Sequence, residues 1–118
     1  MKILGIDTTT KFLCLGLYDN GKYYTCDLEL GRRHSTLLVP IIKRTLDSLG
    51  WDIAEVDYFA CGIGPGSFTG VRIGLAAIKG FAFGLKKPVI AIPSLDIMAL
   101  NCASIKGDKT IIPVIDAK

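Results

Sequence analysis

Asp19-Asn20-Gly21-Lys22 stands between two runs of strand-forming residues, Phe12 to Tyr18 and Lys22 to Leu30. Asn-Gly supplies the positive φ angles of a type I′ turn, which holds the flanking runs to a tight antiparallel hairpin. Ile3 to Asp7 is a short apolar strand ahead of it, ended by Asp7-Thr8-Thr9-Thr10, and Gly31-Arg32-Arg33 closes a three-strand meander. Then the period changes. Leu37, Leu38, Ile41, Ile42, Thr45, Leu46 and Leu49 recur at three- and four-residue intervals, the mark of one apolar helix face. Ser35 is the expected cap, Pro40 lies early enough to be tolerated, and Gly50 is a stop. A buried strand over Val56 to Ile63 follows, then a helix from Gly70 to Gly84 and a strand over Pro88 to Ile92. Ser94 is expected to cap a third helix reaching Ala103, and Thr110 to Asp116 reads as a last strand. This order predicts an α/β fold, a mixed sheet with its first three strands antiparallel and helices on its faces. The chain ends just after that last strand, at Asp116-Ala117-Lys118, so a fragment of a larger protein is expected.

Half of the 118 residues are apolar, enough for one buried core and too many for a disordered tail. The net charge of +3, without a long Lys/Arg block, gives no argument of its own for nucleic acid. The opening apolar run meets Asp7 too soon for a secretory signal, which needs roughly 7–15 uninterrupted apolar residues. Ile73 to Leu85 contains Lys79 and is shorter than the ~18 residues expected of a membrane span. Cys14, Cys26, Cys61 and Cys102 are far apart and form no CxxC pair, so they read as reduced, buried thiols of a cytoplasmic protein.

The densest motif is Gly62-Ile63-Gly64-Pro65-Gly66-Ser67-Phe68-Thr69-Gly70-Val71-Arg72-Ile73-Gly74. It joins a strand to a helix and presents successive N–H groups at a positive helix end, a cradle for a phosphate or carboxylate. It is neither a Walker A loop nor GxGxxG. The bland alternative is a structural turn with Ser67 or Thr69 as cap. Asp7 followed by Thr8, Thr9 and Thr10 has the chemistry to face Mg-phosphate, and the same residues are ordinary in turns. Asp7, Thr8, Thr9, Thr10, Gly64, Gly66 and Ser67 are therefore the candidate phosphate- or nucleotide-facing residues. In the helix that follows, Gly70, Gly74, Gly80 and Gly84 each cost about 1 kcal/mol relative to alanine, so a close backbone approach is expected. The approaching group is either the protein's own sheet or a helix of another chain; because the helix is apolar nearly all round, the second, shared with the first helix, is expected. The single histidine, His34, has Leu38 one turn on; no metal site or catalytic triad is expected, and a solvated or capping role is. Arg32-Arg33 reads as a solvated loop.

Ile3 to Thr9 with its hairpin, His34-Ser35, and above all GPGSFTGVRIG from Gly64 to Gly74 resemble the TsaB (YeaZ) family over essentially the whole chain. The resemblance implies an actin/Hsp70-like (ASKHA, ribonuclease H-like) lobe over 1–108, with 109–118 as the first strand of a truncated second lobe. It implies a role in making threonylcarbamoyladenosine in tRNA, as a non-catalytic scaffold of a TsaD-type transferase. That transferase holds a metal through HxxxH, a motif broken here by Leu38 after His34. A TsaE-type ATPase is the further partner, a homodimer the alternative assembly, and tRNA is met only indirectly, with no membrane involved. No cofactor is implied, ATP or ADP entering only at a complex interface. Leu38, Ile42, Gly70, Gly74, Ala77 and Phe81 would line the partner contact, so Gly74→Leu would abolish pairing and leave the monomer folded. An ATP-dependent phosphotransferase of the same fold and a glycoprotease-like metallopeptidase are the alternatives.

Overall fold

The computed structural model describes residues 1–102, 107 and 110–114. Strands β1 (Lys2–Asp7), β2 (Phe12–Asp19) and β3 (Lys22–Glu29) form the expected antiparallel meander. The β2–β3 turn has positive φ at both Asn20 and Gly21, as a type I′ turn requires. Helix α1 (His34–Leu49) is followed by a 3-10 turn at Ile53–Glu55, which shortens the next strand, β4, to Tyr58–Gly62. Then come α2 (Phe68–Leu85), β5 (Val89–Ile92) and α3 (Ser94–Leu100). Strand order is β3-β2-β1-β4-β5, with β4 parallel to both β1 and β5.

Strand alternation sorts the two faces. Leu4, Ile6, Leu13, Leu15, Leu17, Phe59 and Cys61 are buried on one face beneath α1 and α2, and join Leu38, Ile42, Leu46, Ile78 and Ala82 in a single core. On the other face Gly16, Gly5 and Ala60 lie side by side across three strands. There α3 approaches, with Ile97 and Asn101 lining a cavity shared with Asp7 and Gly62.

Several sequence readings are corrected at this level. Helix α1 starts at His34 with no side-chain cap, so Ser35 sits inside its first turn, exposed. Ser94 is the first residue of α3 and buried, with Pro93 in the capping position. Helix α3 ends at Leu100, short of Ala103, which lies outside the described residues. Residues 110–114 carry no strand, and residues 109 and 115–118 of the expected second-lobe strand also lie outside the described residues. Helix α2 begins two residues before Gly70, because Ser67 caps it by accepting from the Gly70 N–H. With those two and with Leu85 at its other end it has 18 residues and a mean hydropathy of 1.3, long and apolar enough by composition to cross a membrane. One face of it nevertheless packs on the sheet through Gly70, Gly74, Ile78 and Ala82.

Candidate functional site

The end of β1, the β4–α2 loop and the start of α3 meet at Asp7. One carboxylate oxygen, Oδ1, accepts from the Thr9 backbone N–H at 2.9 Å and from Thr9 Oγ1 at 2.6 Å. The other, Oδ2, accepts from Ser94 Oγ at 2.8 Å. Ser94 Oγ in turn accepts from the Gly64 N–H at 3.1 Å, and the Ser94 N–H donates to the Gly64 carbonyl at 2.9 Å. The Ser67 N–H donates to the Thr9 carbonyl at 2.7 Å, and buried Thr8 donates through Oγ1 to the Gly70 carbonyl at 2.6 Å. Three segments far apart in sequence are thus laced together by short, partly charge-assisted bonds. Among the described residues no buried side-chain nitrogen or oxygen is left without a partner.

The glycines of the motif make this lacing geometrically possible. A Cβ on Gly62 would collide with the Asp7 carboxylate, and one on Gly66 with the Thr9 backbone. On Gly70 it would meet the Thr8 carbonyl, and on Gly74 the Thr8 hydroxyl. Only a hydrogen fits at these four positions, so the loop and the first turns of α2 lie directly against the β1 loop. The structure brings Asp7, Thr8, Thr9, Gly64, Gly66 and Ser67 together, with Asp7, Thr8, Thr9 and the Gly64 and Ser67 N–H groups hydrogen-bonded within this junction. Thr10 stands outside that network and accepts from the Phe12 N–H at 3.2 Å. Ser94, expected only as a cap, is the residue that sequence reading missed. No local pattern signals a partner 87 positions away.

His34 is neither solvated nor capping. It is 4% exposed, and Nε2 lies 3.1 Å from the Phe12 carbonyl, which can only accept, so Nε2 carries the hydrogen. Leu38, one turn on, is buried in the core, so this face of α1 serves packing and position 38 says nothing about a metal. Among the described residues no three His, Cys, Asp or Glu side chains gather in metal-binding geometry. Burial, followed by the nearby Asp7 charge, pushes the Cys61 thiol up to about 11. Of the four cysteines expected to be buried, Cys61 is, whereas Cys14 is exposed; partial desolvation, followed by Asp27 and Asp7, still raises the Cys14 thiol to about 11. Both are protonated at neutral pH and poor nucleophiles.

Four of the six residues expected at a partner contact face inward instead. Leu38 and Ile42 belong to the core, and Gly70 and Gly74 are pressed on Thr8. Ala77 and Phe81 are half-buried beside α1, Phe81 lining a groove of about 580 Å³ with Val39, Leu46 and Trp51. The open edge of α2 is carried by Arg72, Ala76, Lys79, Gly80 and Phe83, the last 90% exposed. A Cβ at Gly80 or Gly84 would meet nothing.

A family model for TsaD, tRNA N6-adenosine threonylcarbamoyltransferase, matches residues 29–118. The tRNA threonylcarbamoyladenosine biosynthesis protein TsaB of Escherichia coli (strain K12) is 33% identical over 118 residues, all of this chain and 51% of that protein. Its Haemophilus influenzae counterpart is 34% identical, over all of this chain and 50% of that protein. The chain therefore spans about half the length of these relatives. Among solved structures, YeaZ from Pseudomonas aeruginosa superposes with a TM-score of 0.83 at 33% identity, over 89% of this chain and 51% of that one. Thermus thermophilus RuvC has a TM-score of 0.54 at 20% identity, covering 86% of this chain and 69% of that one. A Bacteroides thetaiotaomicron protein with an actin-like ATPase fold has 0.56 at 13%, covering 84% and 36%. These last two likenesses establish the ribonuclease H-like and actin-like fold alone.

Proposed function

The chain belongs to the TsaB (YeaZ) family, and from that premise we propose that it is a non-catalytic scaffold of a TsaD-type transferase in threonylcarbamoyladenosine synthesis. In this reading residues 1–108 form the first lobe, 109–118 lead into a second, and the protein works in the cytoplasm. The observation that carries it is the Asp7 junction. A carboxylate that accepts three hydrogen bonds from its own chain, beside a loop whose Gly64 and Ser67 N–H groups are engaged by Ser94 and Thr9, supports a bracing role over a reacting one.

Pairing would use the open edge of α2. Ala76, Gly80 and Gly84 lie one helical turn apart on it and let a second backbone come close, while Phe83 offers an aromatic anchor. The same edge serves a TsaD-type partner or, without one, a second copy of the chain. A TsaE-type ATPase joins the pair, and tRNA is met through the transferase.

The test is reconstitution: this chain with TsaD- and TsaE-type proteins, tRNA, ATP and threonylcarbamoyl-adenylate, with quantified modified adenosine and a full-length TsaB control. Modification that depends on the chain, and pairing lost in Gly80→Leu with an undiminished urea midpoint, is the expected result. Pairing intact in that variant would overturn the assigned surface. No dependence on either the chain or the full-length control would overturn the scaffold role.

A further inference from the structure

Beside the Asp7 junction, and not including Asp7, a cavity of about 450 Å³ opens where the N-terminal ends of α1 and α2 converge. Thr10, Lys11, Arg32, His34, Ser67 and Thr69 line it, giving two cationic side chains and three hydroxyls without a carboxylate. Neither helix has an acidic residue in its first turn, and α1 has no side-chain cap at all. First-turn N–H groups are left with partial positive charge at such ends.

His34 supplies the independent sign of a ligand. Its ring is almost wholly buried, Nε2–H is engaged by the Phe12 carbonyl, and Nδ1 has no hydrogen-bond partner among the described residues. Since no unpartnered polar side-chain atom there is fully enclosed, Nδ1 keeps an opening, and the cavity is the space that the ring lines. With the hydrogen on Nε2, a neutral ring presents Nδ1 as an acceptor. A ligand must then be anionic towards Lys11, Arg32 and the helix ends, and yet bring a hydrogen to Nδ1. Hydrogen phosphate does both, and a phosphate monoester does so in its monoanionic form, which its second pKa of about 6 makes a minor species at neutral pH; sulfate at neutral pH offers acceptors only. Lys11 is now 3.2 Å from Glu29, both well exposed, a pair weak enough for a bound phosphate to displace.

We propose that this cavity is a phosphate site, with Lys11 and Arg32 holding the oxyanion between the two helix ends and His34 accepting its P–OH. This goes beyond the scaffold reading and does not depend on it. Inorganic phosphate, sulfate and adenosine 5′-monophosphate are titrated separately into the protein while the His34 ring and the Ser67, Thr69 and Gly70 amide resonances are followed. Saturable shifts confined to those groups with phosphate, and weaker binding of sulfate, are expected. Lys11→Ala and Arg32→Ala, both at exposed positions, should each weaken phosphate about tenfold and leave the urea midpoint unchanged. Monophosphate tighter than phosphate at the same resonances assigns the site to a nucleotide, and equal binding to the phosphate group alone. Absence of saturation, or binding undiminished in the double variant, would overturn the site. Sulfate as tight as phosphate would overturn the role given to His34.

Discussion

Ser94 is a hydroxyl with two jobs. It donates to Asp7 and accepts from the Gly64 N–H, so its removal leaves one carboxylate oxygen and one amide hydrogen without their partners in a partly buried junction. Ser94→Ala is therefore expected to cost about 1–3 kcal/mol, the desolvation penalty of groups stripped of a bond, read from urea unfolding. A change within a few tenths would mean that water replaces the hydroxyl freely and that the junction is not a brace. The glycines around Asp7 belong to the same scale. At Gly62 and Gly66 the constraint is space, since a methyl group would occupy the volume taken by Asp7 and Thr9.

At the level of elements, α2 has two kinds of glycine that sequence cannot tell apart. Gly74 lies against the Thr8 hydroxyl, whereas Gly80 faces open space. Gly80→Ala should stabilise the protein by up to about 1 kcal/mol through helix propensity alone. Gly74→Ala should destabilise it, because the gain in propensity is overwhelmed by a clash that forces Thr8 off its 2.6 Å bond to the Gly70 carbonyl. Thermal unfolding of the two variants decides the matter, and shifts of the same sign would contradict this division of the helix. The same contact argues against a folded Gly74→Leu monomer, since the larger side chain meets the Thr8 hydroxyl at its first carbon. Helix α1 shows a related division: its stripe of Leu38, Ile42 and Leu46 is used up against the sheet, which leaves Val39 as its exposed apolar residue.

For the whole molecule, the buried Cys61 thiol sets an alkaline limit. Cys61 has its thiol pushed from 9.0 to about 11 in the folded chain, by burial first and by Asp7 second. Between those values the unfolded chain loses a proton that the folded chain retains, so stability is full below pH 9 and falls as pH rises toward 11. Urea midpoints measured across that window should drop less steeply for Cys61→Ala than for the parent, whatever the offset caused by the smaller side chain. Parallel slopes would mean that the thiol titrates normally. Cys14, an exposed residue raised by partial desolvation and by two carboxylates, adds a smaller part to the decline.

Local chemistry determined most of the framework. Asn20-Gly21 dictated the hairpin, period-two and period-3.6 patterns dictated strands and helices, and the glycine-dense segment declared a tight strand-to-helix turn, with Ser67 as one of its two candidate caps. These are short-range effects, written in φ preferences and in the spacing of apolar residues. The tertiary structure alone decided what each face meets. Thr8 chooses Gly70 and Gly74 as the buried side of an otherwise apolar helix, Ser94 reaches Asp7 across the chain, and His34 is drawn beneath the Phe12 carbonyl. A periodic pattern specifies that a face will be covered, but the covering group is brought from distant sequence by sheet order and side-chain volume, and neither has a local signature.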